Sequence, residues 1–270
     1  MAEQIFLAVD MGASSGRHLA GRFDGRRLAL EEIHRFDNGP VAMAGRLFWD
    51  LPGLWNSVVQ GLRAAAAKYP GQIHSVGVDT WGCDFALLGR GDELLGNPVC
   101  YRDARTEGMI ERATAIVSRE EIFAQTGLQF MRFNTLFQLL AMRLENSPLL
   151  AAAESLLMMP DLFHWLLTGQ KANELTIAST TQFFDPQRGD WATDLFQGCN
   201  SPRKFSAALF NPARSWGRCC RKSRRRWGSR AFKSPCPVRT TRPAPSSPSP
   251  RKAIAASGPT GATSAPAPGR

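Results

Sequence analysis

Acidic residues stop abruptly in this chain, because none of its 23 Asp and Glu residues follows Asp194. Residues 198–270 contain 16 Lys and Arg residues, 11 of the 18 prolines and four of the six cysteines. The formal charge is therefore −6 over residues 1–197 and +16 over the rest. A basic, proline-rich segment cannot bury enough apolar surface to offset its conformational entropy. The sequence predicts a globular part, residues 1–197, and a basic tail, residues 198–270, that is disordered in isolation.

Two hypotheses explain the composition of the tail. Its cluster of arginines is typical of an arm that binds nucleic acid or a membrane surface. The hypothesis we favour is a change of reading frame near residues 196–198. The genetic code permits a shifted reading of residues 200–205 as Leu-Pro-Thr-Glu-Ile and of residues 237–243 as Gly-Thr-His-Asp-Thr-Ala, which restores acidic residues. The nucleotide sequence around codon 197 distinguishes the two hypotheses.

Strand and helix patterns alternate within residues 1–197. Short apolar runs predict strands at residues 5–9, 18–23, 28–36, 75–78 and 85–88. Apolar residues at helical spacing predict a helix over 51–69 and helices across most of 107–168, with breaks at Asn134 and Ser147. Because the first three strands follow one another closely, they are expected to pair as antiparallel neighbours. The fold class is therefore predicted to be α/β, with a mixed sheet.

The composition of residues 1–197 argues against secretion and membrane insertion. The N-terminus lacks the cationic segment of a signal peptide, and Asp10 interrupts the first apolar run. The most apolar later stretch, 149–167, contains Pro160 and charged residues, so no transmembrane helix is expected. Cys83 and Cys100 are interpreted as small core residues in a reducing compartment. These features predict a cytoplasmic protein.

A glycine-rich turn joins the first two predicted strands, with the sequence Asp10-Met11-Gly12-Ala13-Ser14-Ser15-Gly16-Arg17. Two glycines around small hydroxyl residues allow a tight turn whose successive N–H groups can bind an anion. Asp10 could hold Mg²⁺, and Arg17 adds a cation. The Gly-Lys-Ser/Thr ending of a Walker loop is absent. Taken alone, the octapeptide fits a plain hairpin turn, with Asp10 as a cap, somewhat better than an anion site.

Six motifs in a fixed order resemble the FGGY carbohydrate kinases. They are the glycine-rich turn, Glu32-Ile33-His34-Arg35-Phe36, Asp79-Thr80-Trp81-Gly82-Cys83-Asp84-Phe85, Tyr101-Arg102-Asp103-Ala104-Arg105-Thr106, Phe133-Asn134-Thr135-Leu136-Phe137-Gln138-Leu139 and Met159-Pro160-Asp161. The resemblance covers positions 5 to about 197, and the Trp81-Gly82 pair narrows it to one branch of the family. It implies an actin-like ATPase domain with a ribonuclease H-like fold, the first of two domains that close on a cleft.

The resemblance also implies which residues bind the reactants. Asp10 matches the carboxylate that faces Mg-ATP. Gly82 matches a position whose main chain contacts the sugar, with Trp81 as an apolar wall. The residues that match the ATP phosphate loop are Ala13, Ser14, Ser15, Gly16 and Arg17. Three further polar residues are either hydroxyl partners of the sugar or structural ion pairs, the second being favoured: Asp84, Arg102 and Asp103.

The implied reaction is phosphoryl transfer from ATP, with Mg²⁺, to the 1-hydroxyl of L-rhamnulose. The general base in this family is the Asp of a Gly-Thr-His-Asp-Thr-like segment. In this chain that Asp appears only in the shifted reading, across Thr240 and Thr241. We therefore assign no catalytic residue, and we expect the chain as written to be impaired or inactive.

Two alternative functions remain open. Another FGGY kinase would act on xylulose, gluconate or glycerol, although the Trp81-Gly82 pair argues against this. A non-catalytic actin-like domain would use the basic tail to bind nucleic acid. The favoured interpretation expects the small sugar and ATP as partners, with no membrane and no specific nucleic acid.

Overall fold

The structure is a computed structural model that describes residues 3–192, 194–195 and 209–210. Its strands are β1 (Gln4–Met11), β2 (Ser15–Phe23), β3 (Leu28–Asp37), β4 (Pro40–Met43), β5 (Arg46–Trp49), β6 (Ile73–Asp79), β7 (Phe85–Leu88), β8 (Ser155–Met158), β9 (Asn173–Glu174), β10 (Phe184–Asp185), β11 (Asp190–Trp191) and β12 (Leu209–Phe210). Its helices are α1 (Leu51–Lys68), α2 (Met109–Thr114), α3 (Arg119–Thr126), α4 (Thr135–Leu144), α5 (Pro148–Ala152), α6 (Met159–Thr168) and α7 (Leu175–Ala178).

The central sheet has the strand order β3-β2-β1-β6. The strands β1, β2 and β3 pair as antiparallel neighbours, whereas β6 runs parallel to β1. Every second side chain of β1 is buried, from Ile5 to Met11, which is the pattern of a strand with one face in the core. The predicted mixed sheet and its three antiparallel strands are therefore confirmed.

Helix α1 packs against β2 and β3. It begins where the Asp50 side chain accepts a hydrogen bond of 3.1 Å from the Gly53 N–H, and it ends within one residue of the prediction. Its buried apolar residues recur at helical spacing and include Leu51, Leu54, Val58, Leu62 and Ala65. His18 of β2 lies directly against Gly61, where an added Cβ would come within 2.2 Å of the imidazole. The glycine therefore allows helix and sheet to approach closely.

A groove of about 650 Å³ lies along the sheet, on β1 and its neighbouring strands. The side chains that line it are mainly apolar and include Phe6, Leu19, Phe23, Leu28 and Leu30. Leu28 is 60% exposed and Leu30 is 66% exposed. This apolar surface is therefore open to solvent within the described part of the chain.

A second hydrophobic cluster lies beside the sheet, between the ribbon formed by β7 and β8 and the helices α2 and α4. The helical prediction for 107–168 is wrong at Ser155–Met158, which is strand β8 and pairs with β7 in antiparallel register. Four residues of mixed polarity have no period of their own, so pairing with β7 decides their conformation. The predicted breaks are correct, because Asn134 precedes α4 and Ser147 precedes α5.

Other sequence predictions have mixed outcomes. The hairpin of β4 and β5 was not predicted, although it places Trp49 in the core. Cys83 and Cys100 are buried free thiols, as expected of core residues. The predicted disordered tail, residues 198–270, lies outside the described residues except for β12, which pairs with β9 in parallel. Among the described residues, no helix combines the length and apolar composition required to cross a bilayer.

Candidate functional site

Two of the sequence motifs meet at one edge of the central sheet. Asp10 at the end of β1 is the register partner of Asp79 at the end of β6. The glycine-rich turn follows Asp10, and the Trp81-Gly82 corner follows Asp79. Because β1 and β6 are parallel neighbours, both turns leave the sheet side by side. The structure thus brings the two predicted binding motifs together.

The glycine-rich turn is a hairpin whose carbonyl groups accept the hydrogen bonds that hold it. The Gly12 N–H donates to the Ser15 carbonyl at 2.8 Å. Asn38, just after β3, donates from its side-chain Nδ2 to the Gly12 carbonyl at 2.7 Å and from its backbone N–H to the Ser14 carbonyl at 3.1 Å. Within the described residues, the N–H groups of Ala13 and Ser14 have no hydrogen-bond partner. These two donors suit an anion such as a phosphate.

Gly16 has a packing role in this turn. It is buried, and a Cβ at this position would lie 2.1 Å from the Cζ atom of Phe36 on β3. The Phe36 ring is itself packed beside the rings of His18 and His34. Gly12, Ser14 and Arg17 are exposed, so the accessible part of the predicted phosphate loop lies on either side of Gly16.

Asp10 and Arg17 form an ion pair across the hairpin. Arg17 Nε and Nη2 both contact Asp10 Oδ2, at 3.0 and 2.9 Å, and both side chains are nearly half exposed. The other oxygen, Oδ1, makes no hydrogen bond with any described residue and can reach a cation or its water. Desolvation raises the pKa of the neighbouring Asp79, and the charges of Asp10 and Glu174 raise it further. Asp79 therefore lies close enough to the carboxyl groups of Asp10 and Glu174 to be influenced by their charges.

The Trp81-Gly82 corner packs against the chain that follows α7. A Cβ on Gly82 would lie 3.2 Å from the Thr180 side chain, and Thr180 Oγ1 accepts a hydrogen bond of 3.2 Å from the Cys83 N–H. Cys83 has a φ of +73°, which is unusual for a residue with a side chain. A side chain at position 82 would therefore need a small shift of Thr180, independently of any contact with a sugar.

Trp81 is held in place by a buried carboxylate. Its ring lies 4.1 Å from that of Trp49, and both indole N–H groups donate to Asp84 Oδ2, at 3.0 and 2.6 Å. Asp84 also accepts from the Tyr101 N–H at 3.1 Å and, through Oδ1, from Gln138 Nε2 at 2.9 Å. With four donors and no exposed surface, Asp84 fits the structural alternative rather than a sugar hydroxyl partner.

Asp103 and Arg102 differ in their surroundings. Asp103 is buried, pairs with Arg46 at 3.3 Å and accepts from the Leu47 N–H at 2.8 Å, so it also fits a structural ion pair. Arg102 is exposed, with its guanidinium carbon 5.2 Å from the centre of the Tyr101 ring. Arg102 is therefore the residue of these two that is open to a ligand.

A small polar cavity of about 70 Å³ opens at the end of β6. Its lining includes Asp79, Asp161 and Glu174. Burial raises the pKa of Asp161 well above its usual range, and both its oxygens accept from the Glu174 N–H at 3.2 Å. Asp161 is thus a buried carboxyl group that lines the same cavity as Asp79 and Glu174.

A sequence model of the FGGY family of carbohydrate kinases, N-terminal domain, matches residues 5–239. The chain belongs to the FGGY family of carbohydrate kinases. The match continues beyond residue 197, where the sequence analysis places the end of the globular part.

Curated FGGY relatives are consistent with this membership. The chain is 42% identical over 201 residues to a rhamnulokinase of Oceanobacillus iheyensis, covering 74% of this chain and 43% of that relative. It is 44% identical over 180 residues to a rhamnulokinase of Bacteroides thetaiotaomicron, covering 67% and 37%. The chain therefore spans less than half the length of these curated relatives.

Solved FGGY kinases share the fold. A gluconate kinase from Lactobacillus acidophilus has a TM-score of 0.77 at 15% identity, covering 88% of this chain and 47% of that one. A glycerol kinase from Plasmodium falciparum, solved with ADP, has a TM-score of 0.69 at 16% identity, covering 88% and 48%. The predicted actin-like fold, with a ribonuclease H-like domain, is thereby confirmed.

Several residues of the site were not found from the sequence. Asp79 lies in a recognised motif, and its alignment with Asp10 follows only from the strand register. Asn38 comes two residues after a recognised motif, and a short polar residue just after a strand was the available signal. Thr180 is 97 residues from Cys83 in sequence, so no local pattern indicates their contact.

Proposed function

We propose that this chain is the N-terminal domain of a kinase that transfers a phosphoryl group from ATP to the 1-hydroxyl of L-rhamnulose. The observation that carries the proposal is the pairing of Asp10 with Asp79 in the register of β1 and β6. Because of this pairing, the glycine-rich turn, proposed to bind phosphate, lies beside the Trp81-Gly82 corner, proposed to contact the sugar. Phosphoryl transfer depends mainly on holding the two reactants in line and on stabilising charge. Adjacent turns on a rigid sheet supply that positioning.

The residues of the turn fit a nucleotide phosphate. Ala13 and Ser14 present N–H donors without partners among the described residues, and Ser15 adds a hydroxyl. Arg17 is held by Asp10 and contributes a positive charge next to these donors. In this proposal the turn binds the phosphates of ATP, and Gly16 keeps it packed on Phe36.

The carboxylate of Asp10 fits Mg²⁺. Magnesium in phosphoryl-transfer sites is usually held by one or two carboxylates together with phosphates and water. Asp10 is nearly half exposed and keeps Oδ1 available among the described residues. When bound, the ion would neutralise charge on the phosphates; Asp10 would hold it, and Arg17 would fix the orientation of Asp10.

The Trp81-Gly82 corner suits a sugar in two ways. The Trp81 ring can pack against one face of the sugar, and the main chain of Gly82 can contact a hydroxyl group. Trp81 is half-buried, and Asp84 and Trp49 fix its orientation. A fixed indole can exclude water from one side of a sugar while backbone groups at Gly82 bind a hydroxyl. The similarity to curated rhamnulokinases favours L-rhamnulose over other sugars.

The chain as written lacks an assigned general base. In our proposal the base lies in the segment that only the shifted reading of residues 237–243 contains. Loss of a general base costs about 10²- to 10⁴-fold in rate. We therefore propose that the chain as written is a weak or inactive kinase and that restoring the reading frame restores activity.

The test compares three proteins in an assay of ADP release. They are the chain as written, a version with the reading frame restored, and an intact rhamnulokinase from Bacteroides thetaiotaomicron as a reference. We expect the restored version to phosphorylate L-rhamnulose in preference to xylulose, gluconate and glycerol, and the chain as written to be at least about 10²-fold slower. Equal turnover of the written chain and the reference would contradict the loss of the base.

The nucleic-acid alternative is tested separately. An electrophoretic mobility shift assay with the full chain and with residues 1–197 measures binding by the tail. Binding that depends on the tail and weakens steeply with salt would favour the alternative, because phosphate contacts release counterions. Sequencing of the gene around codon 197 decides whether the tail is the product of the natural frame.

A further inference from the structure

One residue outside the recognised motifs holds the carbonyl side of the glycine-rich turn. Asn38 donates from Nδ2 to the Gly12 carbonyl at 2.7 Å and from its backbone N–H to the Ser14 carbonyl at 3.1 Å. It lies immediately after β3, which is in register with β2 at Ser15 and Asp37. The position of Asn38 at the end of the third strand therefore allows it to donate two hydrogen bonds to the turn.

These two hydrogen bonds fix the direction of the N–H groups that follow each carbonyl. In a planar trans peptide, the carbonyl of one residue and the N–H of the next point in opposite directions. With the Gly12 carbonyl directed at Asn38, the Ala13 N–H points away from Asn38. The Ser15 N–H points away for the same reason, because the Ser14 carbonyl is also bound.

The chemistry of Asn38 suits this task and that of its close analogues does not. An amide side chain can donate to a carbonyl, whereas the carboxylate of an aspartate only accepts. An aspartate would place a carboxylate oxygen where Asn38 Nδ2 lies, 2.7 Å from the Gly12 carbonyl oxygen, and the two acceptors would repel each other. An alanine would keep the backbone donor to Ser14 and lose the bond to Gly12.

We propose that Asn38 is a positioning residue for the polyphosphate of the nucleotide. It acts through the turn, because its hydrogen bond orients the Gly12 carbonyl toward Asn38 and the Ala13 N–H toward the phosphates. The inference rests on the proposed function, because it assumes that the turn binds a nucleotide. It adds a residue just after β3 to the nucleotide part of the site, which the phosphate-loop motif places between β1 and β2.

Calorimetric titration of the full chain provides the test. The probes are Mg-ATP, Mg-tripolyphosphate, AMP and L-rhamnulose, and the variants are Asn38→Ala and Asn38→Asp. Asn56→Ala, at an exposed position of α1, is the matched control. We expect Asn38→Ala to weaken binding of Mg-ATP and Mg-tripolyphosphate by about two- to tenfold, the range of one net hydrogen bond. Asn38→Asp should weaken them more, and Asn56→Ala should not.

The pattern across probes separates positioning from a general folding defect. Positioning predicts that AMP and L-rhamnulose keep their wild-type affinity in Asn38→Ala, since neither uses the outer phosphate contacts. An equal loss for all four probes would overturn the inference. If the wild type binds Mg-tripolyphosphate and Asn38→Ala binds it equally, the inference alone fails. If the wild type binds neither polyphosphate probe, the proposed function fails with it.

A second measurement needs no variant. Amide hydrogen exchange of the wild-type chain, with and without Mg-ATP, reports directly on the turn. The Ala13 amide should exchange more slowly when Mg-ATP is present, because a phosphate oxygen then accepts its hydrogen bond. Unchanged exchange at Ala13 under conditions where Mg-ATP binds would overturn the inference.

Discussion

At the scale of single residues, Asp84 shows how a carboxylate in a sugar-kinase motif can serve the fold. Burial raises its pKa, while hydrogen bonds from Trp49, Gln138, Trp81 and the Tyr101 N–H lower it. These donors come from four separate segments, which are thereby tied to one buried group. Such a network is worth most when every member is satisfied.

Replacement of Asp84 by Asn should destabilise the chain, although the two side chains have nearly the same size. The amide nitrogen would face a donor in place of an acceptor, and one of the four donors would lose its partner. We expect a loss of about 1–3 kcal/mol in the free energy of unfolding, measured in urea by tryptophan fluorescence. Asp37→Asn, at an exposed position, is the control and should change stability by less than about 0.5 kcal/mol. Equal stability of the two variants would show that the network contributes little.

Gly82 illustrates what sequence reasoning at this scale can and cannot predict. The sequence singled out Gly82 by its motif and explained the glycine by close approach of a sugar. The structure shows a further contact, since a Cβ at this position would lie 3.2 Å from the Thr180 side chain, closer than most such contacts. A contact between residues so far apart in sequence depends on the tertiary fold, so no local pattern could indicate it.

At the scale of elements, β1, β2 and β3 behave as one unit with the glycine-rich turn. Gly16 of β2 lies under Phe36 of β3, and Asn38 after β3 binds the turn. The conformation of the turn therefore depends on a strand that contributes no residue to the recognised loop motif.

Replacement of Gly16 by Ala tests the contact between β2 and β3. The added methyl group overlaps the Phe36 ring, so we expect a loss of about 1–3 kcal/mol in the free energy of unfolding. Phe36→Leu should recover at least half of that loss in the double variant, because it removes the overlapping ring atoms. Gly39→Ala, with no atom within 4 Å of the new Cβ, is the control. A double variant no more stable than Gly16→Ala would contradict the proposed overlap.

His18 connects β2 to α1. Its Nε2 lies 3.1 Å from the Val58 carbonyl, and its Nδ1 has no hydrogen-bond partner among the described residues. Burial and, to a smaller extent, repulsion from His34 lower the pKa of His18 to about 4, although the hydrogen bond to Val58 opposes them. The folded state thus keeps His18 neutral, while the unfolded chain takes up a proton below about pH 6.5.

The stability of the chain should therefore depend on pH through His18. The contribution of neutral His18 is complete above pH 6.5, the unfolded value, and is lost as the pH falls toward 4. The loss amounts to about 3 kcal/mol over this window. Urea unfolding from pH 4 to pH 7 should show a shallower dependence in His18→Gln than in the wild type. Parallel curves for the two proteins would contradict this assignment.

The elements differ in how far the sequence predicts them. Apolar runs indicate β1 to β3 and helical spacing indicates α1, and the bounds of these elements agree with the prediction within a few residues. The ribbon strand β8 and the hairpin of β4 and β5 are four residues long per strand, too short for a period to distinguish them. Their conformation depends on partners supplied by the rest of the fold.

At the scale of the whole molecule, the apolar groove on the sheet is the main exposed surface that lacks a cover within the described residues. Its outer rim consists of Leu28 and Leu30 on β3. The match covers 43% of the length of the Oceanobacillus relative. An open apolar surface of this kind promotes self-association.

The double variant Leu28→Thr with Leu30→Thr should reduce self-association. Threonine keeps the strand propensity of β3 while removing apolar rim surface. We expect a smaller weight-average mass in light scattering at high protein concentration, with little change in the free energy of unfolding. Ile116→Thr removes an exposed apolar residue outside the groove and is the control. An equal reduction by the control variant would show that the groove has no special role.

The register between Asp10 and Asp79 has a consequence for the evolution of specificity. Main-chain hydrogen bonds set the separation of the two turns, and mutation of side chains leaves those bonds in place. If the two turns bind the acceptor and the donor as proposed, a lineage can exchange residues around the acceptor hydroxyl while the alignment of the donor stays the same. Kinases named for gluconate, xylulose and glycerol share this scaffold at 15–16% identity. Such divergence of side chains is expected when the backbone of β1 and β6 keeps the distance between the two turns constant.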